Sequence, residues 1–303
     1  MSVNPSLKNE IVKAPLIRRF GAFITDVFIL LLLFLSLNSY VVSPLLAKSY
    51  QYESLVDLYL NRQLDSNLYV TYNNKIVEFI DTYDSTLENQ YKFYEKVDEK
   101  LSAFYTDFSN EGIKLSDFNS SKETSNLFEL VEGEYVLKNN VTVIQLSEFY
   151  SKEYDKAISL FNHYDDEYLD LARKITLFDI YSILISSSVA LILLYLIIPL
   201  CMKNGETLGK LLLSIGVVSA KDGFRVKKSQ TVVRFLILFI FEFALSLFLV
   251  AIPLIVSFSF LVFSKKSNAI HDYFAATICV DKKQCLIYKN YEEFLEHELV
   301  VLK

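Results

Sequence analysis

The sequence predicts an α-helical integral membrane protein with three apolar membrane segments, the third open to being broken into a hairpin, and a large, mostly helical extracytoplasmic insertion. Three observations lead there. Of 303 residues, 52% are hydrophobic yet 22% are charged, so an interior too apolar for an ordinary soluble chain coexists with water-exposed regions. The apolar residues gather into three runs, Phe20 to Val42, Ile175 to Leu200 and Phe235 to Phe263. At about 1.5 Å per residue each run is long enough to cross a hydrocarbon core of ~30 Å. Charge, finally, is segregated between short basic flanks and a long acidic middle, and this segregation says more than the net charge of -6.

Residues 1–43 hold a basic flank and the first membrane helix. Lys8, Lys13, Arg18 and Arg19 face a single acid, Glu10, which places the N-terminus in the cytoplasm. The apolar run is longer than a signal-peptide core and ends at Ser39 to Ser43 without a small-residue cleavage pattern, so it is expected to be retained. Residues 44–172 are acidic and Tyr-rich. "YDSTLENQYKFYEKVDEKLSAFYTDF" and "SEFYSKEYDKAISLFNHYDDEYLDLARKITLFD" have helical apolar spacing, whereas "LFELVEGEYVLKNNVTVIQL" alternates like short strands with a turn at Glu132-Gly133. "NVT" at Asn140 fits a glycosylation sequon, a match too common by chance to carry weight.

Residues 173–282 contain the second and third membrane segments. Between them lies a basic loop, 203–234, with Lys203, Lys210, Lys221, Arg225, Lys227, Lys228 and Arg234 against Glu206 and Asp222, a cytoplasmic signature. The third run exceeds one span and contains Pro253, with Lys265 and Lys266 just beyond it. This favours a break near Pro253 and a return, with the C-terminus cytoplasmic. Residues 283–303 read as an amphipathic tail, with "ATICV" before it a short strand or interfacial segment and "YEEFLEHELVVL" a surface helix. Cys201, Cys279 and Cys285 all lie outside the middle region, which excludes a disulfide framework there, and His163, His271 and His297 have no metal-ligand spacing.

The chemistry-bearing residues are the charges inside apolar runs. Asp26 lies in the first run, and an uncompensated Asp at a bilayer centre costs about 2.5–3.5 kcal/mol. Arg19 shares its helical face but lies about 10 Å along the axis, so each needs another partner. Asp179 and Glu242 are the comparable acids of the second and third runs. "NGETLGKLLLSIGVVSAKDGF" is one residue short of a P-loop, and Leu211 stands where a magnesium-binding hydroxyl belongs. It reads instead as an interfacial turn and helix with Lys210 snorkelling. His271 and Asp272 are adjacent, a pair that alone makes no metal site.

Three ordered blocks, "RRFGAFITD", "NGETLGKLLLSIGVVSAKDG" with Arg234 after it, and "NAIHDYFAATICV", resemble the RDD family of membrane proteins. That family is named for an Arg and an Asp of its first membrane helix and for a second Asp. Arg19, Asp26 and Asp272 match these positions, and Gly205, Thr207, Gly209, Lys210, Gly216, Gly223, Arg234 and Thr277 match its recurrent motif positions. The likeness covers roughly 14–43 and 176–282, leaves out the middle region, and departs mildly in "KSNAIHD".

The resemblance implies a membrane protein of poorly defined function for which transport of some ligand has been suggested. The expected activity is transport of an ion or small ligand, with Asp26 the binding carboxylate and Glu242 and Asp179 further candidates. Arg19, Lys210, Arg234 and His271 are its expected companions. The alternative is a membrane-anchored interaction or scaffold protein whose extracytoplasmic region binds a partner or envelope component. No enzyme is expected, since no nucleophile–base set is visible, and no cofactor, metal or nucleic acid. The expected partners are the lipid bilayer, a protein bound by 44–172, and a second copy of the chain.

Overall fold

A computed structural model describes residues 11–83, 90–249, 252–263 and 269–301. Lys8, Glu10 and the Lys265–Lys266 pair lie outside the described residues. In chain order the elements are α1 (Leu16–Leu37), α2 (Ser43–Tyr50), α3 (Tyr52–Asp65), β1 (Tyr69–Tyr72), β2 (Lys75–Glu78), α4 (Gln90–Asp107), α5 (Leu115–Ser125), β3 (Phe128–Val131), β4 (Glu134–Leu137), α6 (Val143–Tyr164), α7 (Asp166–Ile192), α8 (Ile198–Cys201), α9 (Leu208–Leu212), β5 (Ile215–Ser219), α10 (Lys228–Ile237), α11 (Leu245–Phe248), α12 (Ile252–Phe263), α13 (Ile270–Phe274), β6 (Thr277–Asp281) and α14 (Tyr291–Val301). Three helical stretches, Leu16–Tyr50, Asp166–Cys201 and Lys228–Phe248, are long and apolar enough to cross a membrane. Each carries a wider π-helical turn: Asn38–Val42, Leu193–Ile197 and Leu238–Ala244. The chain divides into two compact units, Leu45–Tyr181 on one hand and Met1–Pro44 with Ser182–Lys303 on the other.

The 45–181 unit has its own aromatic core. The apolar faces of α4 and α6 meet over Leu101, Phe104, Tyr105, Tyr154 and Phe161, all fully buried, and Phe118 of α5 joins them. Tyr105 stacks on Phe118 with ring centroids 5.2 Å apart, which explains how a Tyr- and Phe-rich, Trp-free sequence fills a core. At the edge of this core Asp98 joins Lys122 at 2.7 Å and accepts the Tyr150 hydroxyl at 2.9 Å. A capping box starts α6: the Thr142 hydroxyl accepts the Gln145 amide while the Gln145 side chain accepts the Thr142 amide. Two hairpins interrupt the helices. The β3–β4 hairpin turns at Glu132-Gly133, both with positive φ (53° and 94°), as its alternation predicts. The β1–β2 hairpin turns at Asn73-Asn74 (φ 50° and 60°), and the sequence reading did not anticipate it.

In the other unit the long apolar helix α1 lies against α7. The Asn38 carbonyl oxygen accepts the hydroxyls of Ser182 at 2.7 Å and Ser186 at 2.9 Å, so polar atoms at the far end of α1 are satisfied within the helix pair. The third apolar run is a hairpin of helices. The helix that begins with α10 ends at Phe248, and α12 packs back against the π-helical turn and α11, with the Ser257 hydroxyl donating to Glu242 at 2.6 Å. The helices are interrupted between Phe248 and Ile252, just before Pro253. Pro253 is the second residue of α12, where a missing amide hydrogen is no loss.

The loop after α8 is also unlike the expected turn and helix. Only Leu208–Leu212 is helical, and "IGVVS" is β5, buried along its whole length and paired antiparallel with β6 from Ile215↔Asp281 to Ser219↔Thr277. The β-branched run suits a strand once a partner covers it. Residues before α1 add to the β6 edge through the Lys13↔Val280 bridge and the Ala14 amide on the Cys279 carbonyl at 3.1 Å. Arg18 completes the junction, meeting Asp281 at 2.5 Å and the Leu213 carbonyl at 2.6 Å. The tail forms α14 as its spacing predicts, with Phe294 buried.

Truncating a fully buried side chain of the 45–181 core should cost far more than truncating an exposed one. Leu101→Ala is expected to destabilise by about 2–5 kcal/mol, while Leu130→Ala, on the exposed hairpin, stays within about 0.5 kcal/mol. Urea midpoints of the full-length chain, followed by limited proteolysis within 45–181, check this. Equal midpoints would contradict the assigned core.

Candidate ligand cavity

The helices of the 1–44/182–303 unit line a cavity of about 390 Å³. Three stripes, each at helical spacing, line it. Arg19, Phe23, Asp26, Val27, Leu30, Leu31 and Phe34 come from α1, Ser187, Leu191, Tyr195 and Pro199 from the α7–α8 helix, and Thr231, Arg234, Phe235, Leu238, Glu242 and Phe243 from the third helix. One end is closed by Thr207 and Lys210 beside α9 and by His271, Asp272 and Cys279 around α13 and β6. Charged groups crowd that end and apolar side chains form the rest. Tyr195 and Glu242 both sit in π-helical turns, the irregularity most often found where a helix serves a site.

Asp26 is buried, and both of its oxygens are taken. The Thr207 hydroxyl donates to one at 2.5 Å and the Gly209 amide to the other at 2.7 Å. Lys210 and Arg234, two of the cations expected as companions, act on it only at longer range. Gly209 makes this approach sterically feasible. A Cβ there would stand 2.3 Å from the Ala22 carbonyl oxygen and 2.8 Å from Asp26 Oδ1.

Asp272 and Arg234 form a second knot, with Arg234 Nε 2.9 Å from Asp272 Oδ1 and both side chains buried. The Thr277 hydroxyl donates to the same oxygen at 3.1 Å, the Cys279 thiol reaches Oδ2 at 3.6 Å, and Arg234 also reaches the Gly205 carbonyl at 3.4 Å. Burial alone would raise the Asp272 carboxyl. The nearby charges of Arg234, His271 and Lys210 overcome it and hold the group below the ordinary carboxylate range. His271 bridges to a third carboxylate: its Nδ1 lies 2.8 Å from Glu242 while its Nε2 lies 3.8 Å from Asp272. Glu242 therefore has two donors, His271 and Ser257, in the apolar part of its helix.

Seven of the eight candidate residues read from the sequence, Arg19, Asp26, Lys210, Arg234, Glu242, His271 and Asp272, line this one cavity. Asp179 does not. It belongs to the 45–181 unit and is exposed, its carboxylate acting on Tyr52. Of the motif residues, Gly216 faces Val280 within the β5–β6 pair, and Gly223 lies in the turn after β5 with its amide on the Ser219 carbonyl at 2.9 Å. Sequence reasoning missed Ser257, Tyr195 and Cys279. No spacing rule links Ser257 to Glu242, because the chain reverses between them.

The fold and this cavity define the class: a helical membrane protein whose membrane-length helices and connecting loop gather buried charge at one end of an apolar cavity. Residues 163–276 match the family model of the RDD family, the family that the motif blocks resemble. The match runs from the end of α6 through α13, so it includes Arg234 and Asp272 and leaves α1 outside. No curated protein and no solved structure matches the chain.

Three substitutions test the knots. Gly209→Ala should cost about 1–3 kcal/mol by overpacking against backbone that cannot retreat, and Gly205 should tolerate Ala no better, with a positive φ of 61° and Val226 Cγ1 2.4 Å from where its Cβ would stand. Asp272→Asn should cost about 3–5 kcal/mol by stranding Arg234. Because the folded-state pKa of Asp272 is depressed, its contribution is present above about pH 3.9 and is lost as pH falls through the folded value. Unfolding in detergent followed from pH 7 down to about pH 2 should thus show a steeper acid loss below about pH 4 in the wild type than in Asp272→Asn. Parallel curves would refute this account.

Proposed function

We propose that the RDD region binds an ion or small ligand in this cavity and carries it across the membrane, with protons moving through the Glu242–His271 pair. The observation behind this reading is the convergence of three carboxylates and four basic side chains on one cavity, Arg19, Asp26, Arg234 and Glu242 from the first and third membrane-length helices and Lys210, His271 and Asp272 from the segments beyond their ends. Charges retained at membrane depth usually serve a pathway rather than the fold. Asp26 takes a different role from the one its position first suggests: with both oxygens engaged it holds α9 in place. His271, within reach of carboxylates at both ring nitrogens, is the group built to accept and pass a proton. The short basic loop then faces the cytoplasm and Leu45–Tyr181 lies outside.

Proteoliposomes holding the purified chain and an internal pH dye, clamped to a potential with valinomycin, should show proton flux above that of empty liposomes, with and without sodium. Glu242→Gln and His271→Asn should reduce it by roughly tenfold or more without changing the protein recovered in the folded fraction. Wild-type flux equal to that of empty liposomes would remove the reading.

A second reading, a membrane-anchored interaction protein, draws support from the β3–β4 hairpin, which leaves Leu130 63%, Val131 46% and Val136 45% exposed. A photo-crosslinker at Leu130 in intact cells should then give one discrete adduct, and its absence counts against this reading.

A further inference from the structure

The closed end of the cavity is not uniformly occupied. Its carboxylates all take donors from within: Asp26 on both oxygens from Thr207 and Gly209, Asp272 on Oδ1 from Arg234 and Thr277, Glu242 on Oε1 from His271 and Ser257. Lys210 differs. Its half-buried side chain lines the cavity, and among the described residues it has neither a carboxylate within ion-pair distance nor a hydrogen-bond acceptor. An incoming anionic group would supply the partner that the Lys210 ammonium lacks.

Away from this end the walls turn apolar. From Asp26 to Phe34 the α1 stripe runs eight residues, about 12 Å, through Val27, Leu30 and Leu31. Leu191 and Phe243 complete the wall from the other two helices. Val27 and Leu31 line the cavity while 43% and 51% exposed, so no described residue covers that face. A volume of about 390 Å³ is near the low end for small-molecule sites, enough for one chain and a small head.

We propose that the cavity binds a single-chain amphiphile with a monoanionic, carboxylate-type head, the head on Lys210 and the chain along Val27, Leu30, Leu31 and Phe34. A small inorganic anion would leave the apolar wall empty. A neutral chain would leave the ammonium without a partner, and a cationic head would meet carboxylates that already hold their donors. The proposal rests on the cavity being a ligand site, the first half of the function proposed above, and is independent of whether anything crosses the membrane.

The chain contains no Trp, which makes a single introduced Trp a clean reporter. Full-length Phe34→Trp and, as an outward control, Phe28→Trp are reconstituted in zwitterionic nanodiscs and titrated with decanoate brominated at its chain end. Saturable quenching is expected at position 34 and only linear, partition-type quenching at position 28. Lys210→Gln should weaken the saturable phase by roughly tenfold or more, the loss of one charge-assisted contact, while Lys210→Arg retains it. The brominated alcohol of equal length should bind more weakly. On the unsubstituted chain, decanoate but not acetate should raise the melting temperature, a readout that survives if Phe34→Trp itself fills the cavity. Equal binding of the alcohol, tighter binding of a decyl trimethylammonium probe, or a saturable phase indifferent to Lys210→Gln would each overturn the proposal. Proton flux with no amphiphile binding would remove this ligand class and leave translocation standing; binding without flux would do the reverse.

Discussion

The contact on which the membrane unit depends is the two-pronged grip of Thr207 and the Gly209 amide on Asp26. Without it, α9 has no reason to lie against the side of a helix that is otherwise apolar. α9 leads directly into β5, β5 pairs with β6, and β6 takes the bridge from Lys13 that fixes the start of α1. A closed circuit results: α1 to α9 to β5 to β6 and back to the residues preceding α1. Lys210 is carried on α9, so the same grip decides where the cavity's basic end stands.

The second constraint is electrostatic. Three carboxylates lie in or beside apolar helices, and each is tolerated because it accepts at least two donors where it lies. Arg234 and Asp272 answer each other at 2.9 Å with both side chains buried, so their value is positional more than stabilising: such a pair rarely beats an apolar replacement, yet neither member is removable alone. Holding α10 to α13 and β6 in one arrangement is what it accomplishes. His271, next to Asp272 in sequence, is thereby aimed at Glu242.

Much of this was legible in the residues themselves. The ordered blocks singled out Asp26, Thr207, Gly209, Arg234 and Asp272 before their proximity was visible, and apolar run lengths located the membrane helices. The connections between them were not legible. Asp26 is held in part by a backbone amide, which no argument from residue type can reveal. "IGVVS" disappeared into an amphipathic pattern because its partner strand lies some sixty positions later. The Asn73-Asn74 turn joins strands of only four residues each, too short for their alternation to stand out. Asp179 was grouped with the other acids because hydropathy registers a charge at the edge of an apolar run without telling which way it faces.

The separation in sequence of Asp26 from its partners bears on how the protein is made. Asp26 leaves the ribosome 181 residues before Thr207 and 183 before Gly209. Synthesis delivers α1 first, so its acid spends the whole production of the 45–181 unit without the donors that will hold it. During that interval α1 must be kept near the aqueous margin of the bilayer or sheltered by insertion machinery. The final depth of the first helix is thus set by a loop not yet translated when that helix emerges.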